Sequence, residues 1–177
     1  MTETESSKEA RSSYTHIVFY ITTTLRAREL RAKTPDFMHR FPSEEWTEAY
    51  KNAINHCSAY REVGKAWTFG SVAMIIKCDL SLGLERDTGM VLDVHEGRCR
   101  GARFVEGTRD PEEAKFVIVA SYNRWKDVIE GKLDPIKGMM EGKLKLTKGS
   151  LATLVRFVES SRRLVTNARN VPTEFRH

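Results

Sequence analysis

The sequence predicts an α+β fold: a helix, four strands, two short helices, a fifth strand and a closing helix. Three observations carry this reading. A capped amphipathic helix begins at Ser43. β-rich runs are then grouped between Val72 and Ala120, and the period switches to helical after residue 121. Grouped strands exclude the βαβα alternation of a doubly wound sheet.

The chain has 177 residues, 40% of them hydrophobic and 30% charged. That is one domain with an extension, and it excludes a mostly disordered chain. No apolar run approaches the roughly 18 residues of a spanning helix, so an integral membrane protein is not expected. Residues 1–42 form the extension, expected to be partly disordered, with a polar mobile tail over 1–13. Within it, Ile17-Val18-Phe19-Tyr20-Ile21 suits a strand, a packed helix, or a piece preceding an internal start at Met38. The folded domain is expected over 43–170, and 171–177 as a tail.

The first helix is argued from its N-terminus. Pro42-Ser43-Glu44-Glu45 places a hydroxyl at the cap and two carboxylates in the first turn, where the helix dipole favours negative charge. Trp46, Tyr50, Ala53, Ile54 and Cys57 then form one apolar stripe, and Gly64 ends the region. Strands are expected over 72–78, 89–94, 98–105 and 115–120. Glu96-Gly97 turns the second into the third as a hairpin. Tyr122, Trp125, Val128 and Ile129 make a short amphipathic helix that Gly131 stops. Asp134-Pro135 starts another, with Asp as cap and Pro in the first turn; it carries Met139-Met140 and stops at Gly142. Lys143–Thr147 alternates as a fifth, half-buried strand. Ser150 caps the last helix, whose apolar face holds Leu151, Leu154, Val155, Val158 and Val165. Glu159 is placed to pair with Arg162 and Arg163.

Charge is unevenly spread. The net charge is +5, and residues 123–177 hold 12 basic against 6 acidic residues. A basic face there suits anionic headgroups or nucleic acid, or is a solvated helix surface. Nucleic acid is not the expected partner, because no helix-turn-helix, zinc-finger or RNP pattern accompanies the charge. Three widely spaced cysteines, Cys57, Cys78 and Cys99, fit reduced thiols, and a cytoplasmic location is expected.

Catalytic chemistry has little to stand on. No HExxH, CxxC, G-x-S-x-G or Walker A pattern is present. His95 and Cys99 would approach across the hairpin, but two ligands do not make a zinc site. Asp93 and His95 share a strand face, and a surface hydrogen-bonding role suits them better than a dyad. No cofactor and no enzyme activity are expected. An apolar cavity needs apolar walls and few polar groups. The wall candidates are Trp125, Ile129, Met139, Met140, Leu144, Leu154, Phe157 and Val158, each of which could equally fill the core. Phe157 lies off the main stripe of its helix and needs either a second packing surface or a ligand.

One block carries a resemblance. Gly131-Lys132-Leu133-Asp134-Pro135, Met139-Met140 and Gly142-Lys143-Leu144-Lys145-Leu146, followed by a Gly149 turn and an amphipathic helix, resemble the sterol carrier protein type 2 family. Val91-Leu92-Asp93-Val94 and Gly97 match that family's W-x-x-D-x-x-x-G strand pair, with Met90-Val91 where the family has Trp. The resemblance spans roughly 43–165. It implies a five-stranded, mostly antiparallel sheet covered by helices on one face, with an apolar tunnel between them. It implies non-enzymatic binding and transport of fatty acid, acyl-CoA, isoprenoid or sterol-like lipid. Alternatives are an accessory subunit presenting lipid to a partner enzyme, or a module binding a partner helix. Peripheral contact with an anionic membrane is a further expectation.

Overall fold

The computed structural model describes residues 38–177. The expectations for the polar tail and for Ile17–Ile21 fall outside the described residues. β1 (His39–Arg40) precedes α1 (Glu44–His56) and α2 (Ser58–Val63). β2 (Val72–Ile76), β3 (Thr88–His95), β4 (Arg98–Glu106) and β5 (Phe116–Ala120) follow, with a 3₁₀ turn at Leu80–Leu82. The rest is α3 (Tyr122–Ile129), α4 (Pro135–Met140), β6 (Lys145–Lys148), α5 (Leu151–Arg156), α6 (Val158–Arg169) and β7 (Thr173–Glu174).

Five strands form one sheet in the order β4-β3-β2-β5-β6. Only the β2–β5 junction is parallel; the other three are antiparallel. The fold class is therefore the expected mostly antiparallel α+β sheet. Its helix-facing side holds Val72, Ile76, Met90, Leu92, Phe116 and Ile118 within the main core. The opposite face carries a smaller cluster built on Ala73, Ile75, Val91, Val117 and Val119. Gly89–Val94 alternates only weakly in sequence because β3 lies inside the sheet and buries residues of both faces.

Local chemistry sets the helix ends. Ser43 Oγ accepts the Trp46 N–H at 3.1 Å, as the capping pattern requires. The helix expected to run to Gly64 breaks at Cys57, whose backbone is extended and whose Sγ accepts the Tyr60 N–H at 3.4 Å. Cysteine thus caps α2, a role its apolar character in the stripe had hidden. The closing helix also divides, at Phe157, into α5 and α6. Val155, expected on its apolar face, is exposed, because α5 ends before that stripe can continue along α6. Glu159 pairs with Arg162 at 2.7 Å.

Residues 171–177 are docked, not the expected tail. β7 pairs in parallel with β1, Val171 is buried, and Phe175 packs 6.1 Å from the Phe41 ring. Thr173 Oγ1 accepts the Trp46 indole N–H at 2.8 Å, and the Arg176 N–H donates to the Tyr122 hydroxyl at 2.7 Å. Phe41 is a core residue, although it lies within the stretch assigned to the N-terminal extension. These short strands lack any periodic signal, and only their partners make them visible.

The β3–β4 hairpin turns through Glu96 (φ 46°) and Gly97 (φ 75°), the left-handed pair that a two-residue hairpin favours. That turn sits against the end of α2: a Cβ on Gly64 would lie 2.7 Å from the Gly97 Cα. Gly64 itself has an ordinary helical φ of −88°, so the constraint there is steric. Gly64→Ala should destabilise the protein by about 1–3 kcal/mol through overpacking, where a Gly→Ala change in an open site would stabilise it. Urea unfolding of the two proteins measures the difference, and a stabilised variant would sink the close-approach argument.

Asp134 caps α4, accepting the Lys137 N–H at 3.0 Å, and also accepts from Arg162 Nε at 3.2 Å. Burial pushes its carboxyl up, but the Lys137 N–H and the Arg162 guanidinium outweigh it and hold the carboxyl below its ordinary value. A depressed carboxylate contributes stability that is present above the unfolded value, about 3.9, and lost as pH falls through the folded one. Asp134→Ala should therefore cost about 1 kcal/mol at neutral pH. The gap to the parent should be smaller in denaturation at about pH 3 than at neutral pH, since the carboxylate's contribution is lost as pH falls through its folded value. A gap of equal size at both values would assign the loss to packing.

Candidate functional site

Between the sheet and the helices lies an apolar cavity. Its volume is about 70 Å³. Met74, Ile76, Met90, Val94 and Ile118 form its floor on the sheet. Trp46 and Tyr50 from α1, Tyr60 from α2, and Trp67 from the following loop close one side. Trp125, Val128 and Ile129 from α3 and Met139 from α4 close another. Leu154, Ser161, Leu164 and Val165 from α5 and α6 form the roof. Met74 sits in the middle strand of the sheet yet is only partly buried. Leu164 and Val165 are also partly buried and lie on the same wall.

Among the described residues, no Asp, Glu, Lys, Arg or His lines this space. Most of its polar atoms are committed to the protein itself. The indole N–H groups of Trp46, Trp67 and Trp125 donate to Thr173 Oγ1, the Gly70 carbonyl and the Ile75 carbonyl, at 2.8, 2.9 and 2.8 Å. The Tyr50 hydroxyl donates to the Leu164 carbonyl at 3.1 Å, and the Ser160 hydroxyl to the Val63 carbonyl at 2.8 Å. Such a wall favours apolar contents, since most of its own polar groups are already satisfied.

Four of the sequence-derived wall candidates lie on the cavity: Trp125, Ile129, Met139 and Leu154. Four do not. Met140 follows Met139 by about 100° around a helix and points outward, 71% exposed. Leu144 is buried behind α4, where it packs against Gly138. Phe157 uses the second packing surface: its ring lies 5.4 Å from Trp67 and 5.3 Å from Phe69. Val158 begins α6 and packs on the core edge, away from the wall.

Sequence reasoning missed the upstream half of the wall. The Val72-Met74-Ile76 alternation could have pointed to Met74, since those residues share one strand face. Tyr60 and Trp67 carry no such signal, because they lie on a one-and-a-half-turn helix and a loop.

Asp93 and His95 stand apart from the cavity. Asp93 is held by Arg100 in a two-point ion pair at 2.8 and 3.0 Å. His95 Nε2 lies 3.8 Å from Glu96 Oε1. Opposite Cys99 in the ladder stands Val94, not His95, because the two-residue Glu96-Gly97 turn pairs His95 with Arg98. Among the described residues no three His, Cys, Asp or Glu side chains gather as a metal site. The Cys99 thiol is pushed up to about 12, chiefly by burial. No described helix is long and apolar enough to cross a membrane.

The comparisons agree with the geometry. The model of the SCP-2 sterol transfer family matches residues 72–159. A crystal structure of a sterol carrier protein 2 is 38% identical, aligned over 73% of this chain and 97% of that one, with a TM-score of 0.68. The solution structure of a conserved protein from Thermus thermophilus, provisionally described as a sterol carrier protein, is 37% identical. It aligns over 75% of this chain and 90% of its own, with a TM-score of 0.69. No curated protein matches the sequence. With 38% identity across nearly the whole of a sterol carrier protein 2 and the same architecture, this chain belongs to the SCP-2 sterol transfer family.

Proposed function

We propose that the protein binds an apolar lipid in this cavity and carries or presents it, without converting it. The observation that carries the proposal is a wall with no charged side chain and with its indole N–H groups already bonded to the protein. Each methylene moved from water into such a space contributes about 0.8 kcal/mol, so chain length drives affinity and headgroup chemistry contributes less. Met74, Met90 and Met139 on the wall are unbranched and turn readily, which lets a narrow cavity accept chains of different shape. Three free cysteines suit the reducing cytoplasm, where we place the protein.

Native mass spectrometry of protein purified without detergent tests the proposal. A retained lipid in stoichiometric amount is expected, or uptake after fatty acid, acyl-CoA or an isoprenoid is offered. Val165→Trp, which adds bulk at a partly buried wall position, should lower uptake by about tenfold while the protein stays folded. An unchanged protein mass after every lipid has been offered would overturn the carrier reading.

Delivery is proposed to occur at anionic membranes. Local carboxylates neutralise Lys132, Lys137, Lys143 and Arg162. Arg156, Arg163 and Arg169 are exposed and have no ion-pair partner among the described residues. Each basic side chain near such a surface adds about 1 kcal/mol. The protein should cosediment with phosphatidylserine vesicles at low salt and be released at about 0.5 M, where the Debye length is short. Binding indifferent to salt would refute an electrostatic attachment.

A further inference from the structure

We propose that the Tyr60 hydroxyl is the polar anchor of the cavity, receiving the neutral polar end of a buried ligand such as an alcohol or a carbonyl. The inference rests on the lipid-binding reading and names the chemistry of the end that goes in.

The argument is one of accounting for polar groups. The wall's three indoles, Tyr50 and Ser160 all donate to acceptors of the protein. Ser161 is only partly buried and can reach water. Tyr60 is different: it is 1% exposed, it lines the cavity, and its hydroxyl has no hydrogen-bond partner among the described residues. A buried hydroxyl without a partner is costly, and a ligand oxygen removes that cost.

The same surroundings fix what kind of end it takes. A phenol both donates and accepts, so it suits a hydroxyl, a ketone or an ester carbonyl. Burial, with the Cys99 thiol adding to it, raises the Tyr60 phenol and keeps it neutral. Among the described residues no cation lines the cavity to pair with a carboxylate. A charged headgroup placed there would be desolvated without compensation, so charged ends stay outside and neutral polar ends enter. Long-chain, isoprenoid or sterol-like alcohols are therefore favoured over head-first fatty acids.

The test loads the full chain and Tyr60→Phe from neutral phosphatidylcholine vesicles with hexadecanol, hexadecane and hexadecanoate, and reads occupancy by native mass spectrometry. The hexadecanol-to-hexadecane ratio should fall by about fivefold in Tyr60→Phe, the worth of one ordinary hydrogen bond. Each protein's own hexadecane uptake is the reference, and circular dichroism reports that the variant is folded. A second measurement leaves the protein unaltered. With ring-labelled tyrosine, one tyrosine Cζ resonance should shift on loading hexadecanol and stay in place on loading hexadecane. An unchanged ratio in the variant, or equal shifts with both ligands, would overturn the anchor while leaving lipid carriage standing. Failure of all three compounds to load either protein would overturn the carrier reading and the anchor together.

Discussion

An apolar cavity exists only if its walls cannot fall into it. Protein interiors close-pack, and an unsupported void costs stability in proportion to its size. Here the walls are large rings tied from behind. Trp46 is held by Thr173, Trp67 by the Gly70 carbonyl, Trp125 by the Ile75 carbonyl and Tyr50 by the Leu164 carbonyl. A ring with its polar atom fixed at one edge has little freedom to swing inward. The same bonds remove the donors that would otherwise invite water. Rigidity and dryness therefore have one source.

That source draws together segments that are remote in the chain. Trp46 near the start of α1 depends on Thr173 in the last strand, and Tyr122 at the start of α3 receives the Arg176 N–H. The parallel β1–β7 pair and the Phe41–Phe175 contact bring the two ends of the described chain to the same side of the core. Asn55 adds a further link from α1, exchanging two side-chain hydrogen bonds with the Cys99 backbone at 2.8 and 2.9 Å. This occupies backbone groups of β4, an edge strand that would otherwise present them unpaired.

The wall also divides labour. Aromatic rings at the α1 side are fixed, whereas methionines on the floor and at α4 are adaptable. α5 and α6 meet at a break whose joint, Phe157, is packed on Trp67 and Phe69. On the lipid-binding proposal, this arrangement suits loose selectivity along a ligand chain, with discrimination at the Tyr60 hydroxyl.

Much of the fold was legible because local chemistry announces it. Ser43, Asp134 and Ser150 each accept the backbone N–H three residues on, and Gly131 and Gly142 follow their helices with positive φ. The Glu96-Gly97 turn, the grouped strands and the change of period after residue 121 were equally local. The site was half legible. Trp125, Ile129, Met139 and Leu154 stand on stripes that face inward, while Met140, Leu144, Phe157 and Val158 share their composition and differ in direction. Hydrophobicity states that a side chain leaves water; it does not state whether it meets another side chain or a cavity. Tyr60, Trp67 and the β1–β7 pair were beyond sequence reasoning, because their roles come from partners dozens of residues away. The sequence by itself determined most of the elements, the caps at Ser43, Asp134 and Ser150, and the family. Only the tertiary structure decided which apolar groups leave space between them, because that depends on how distant surfaces fit.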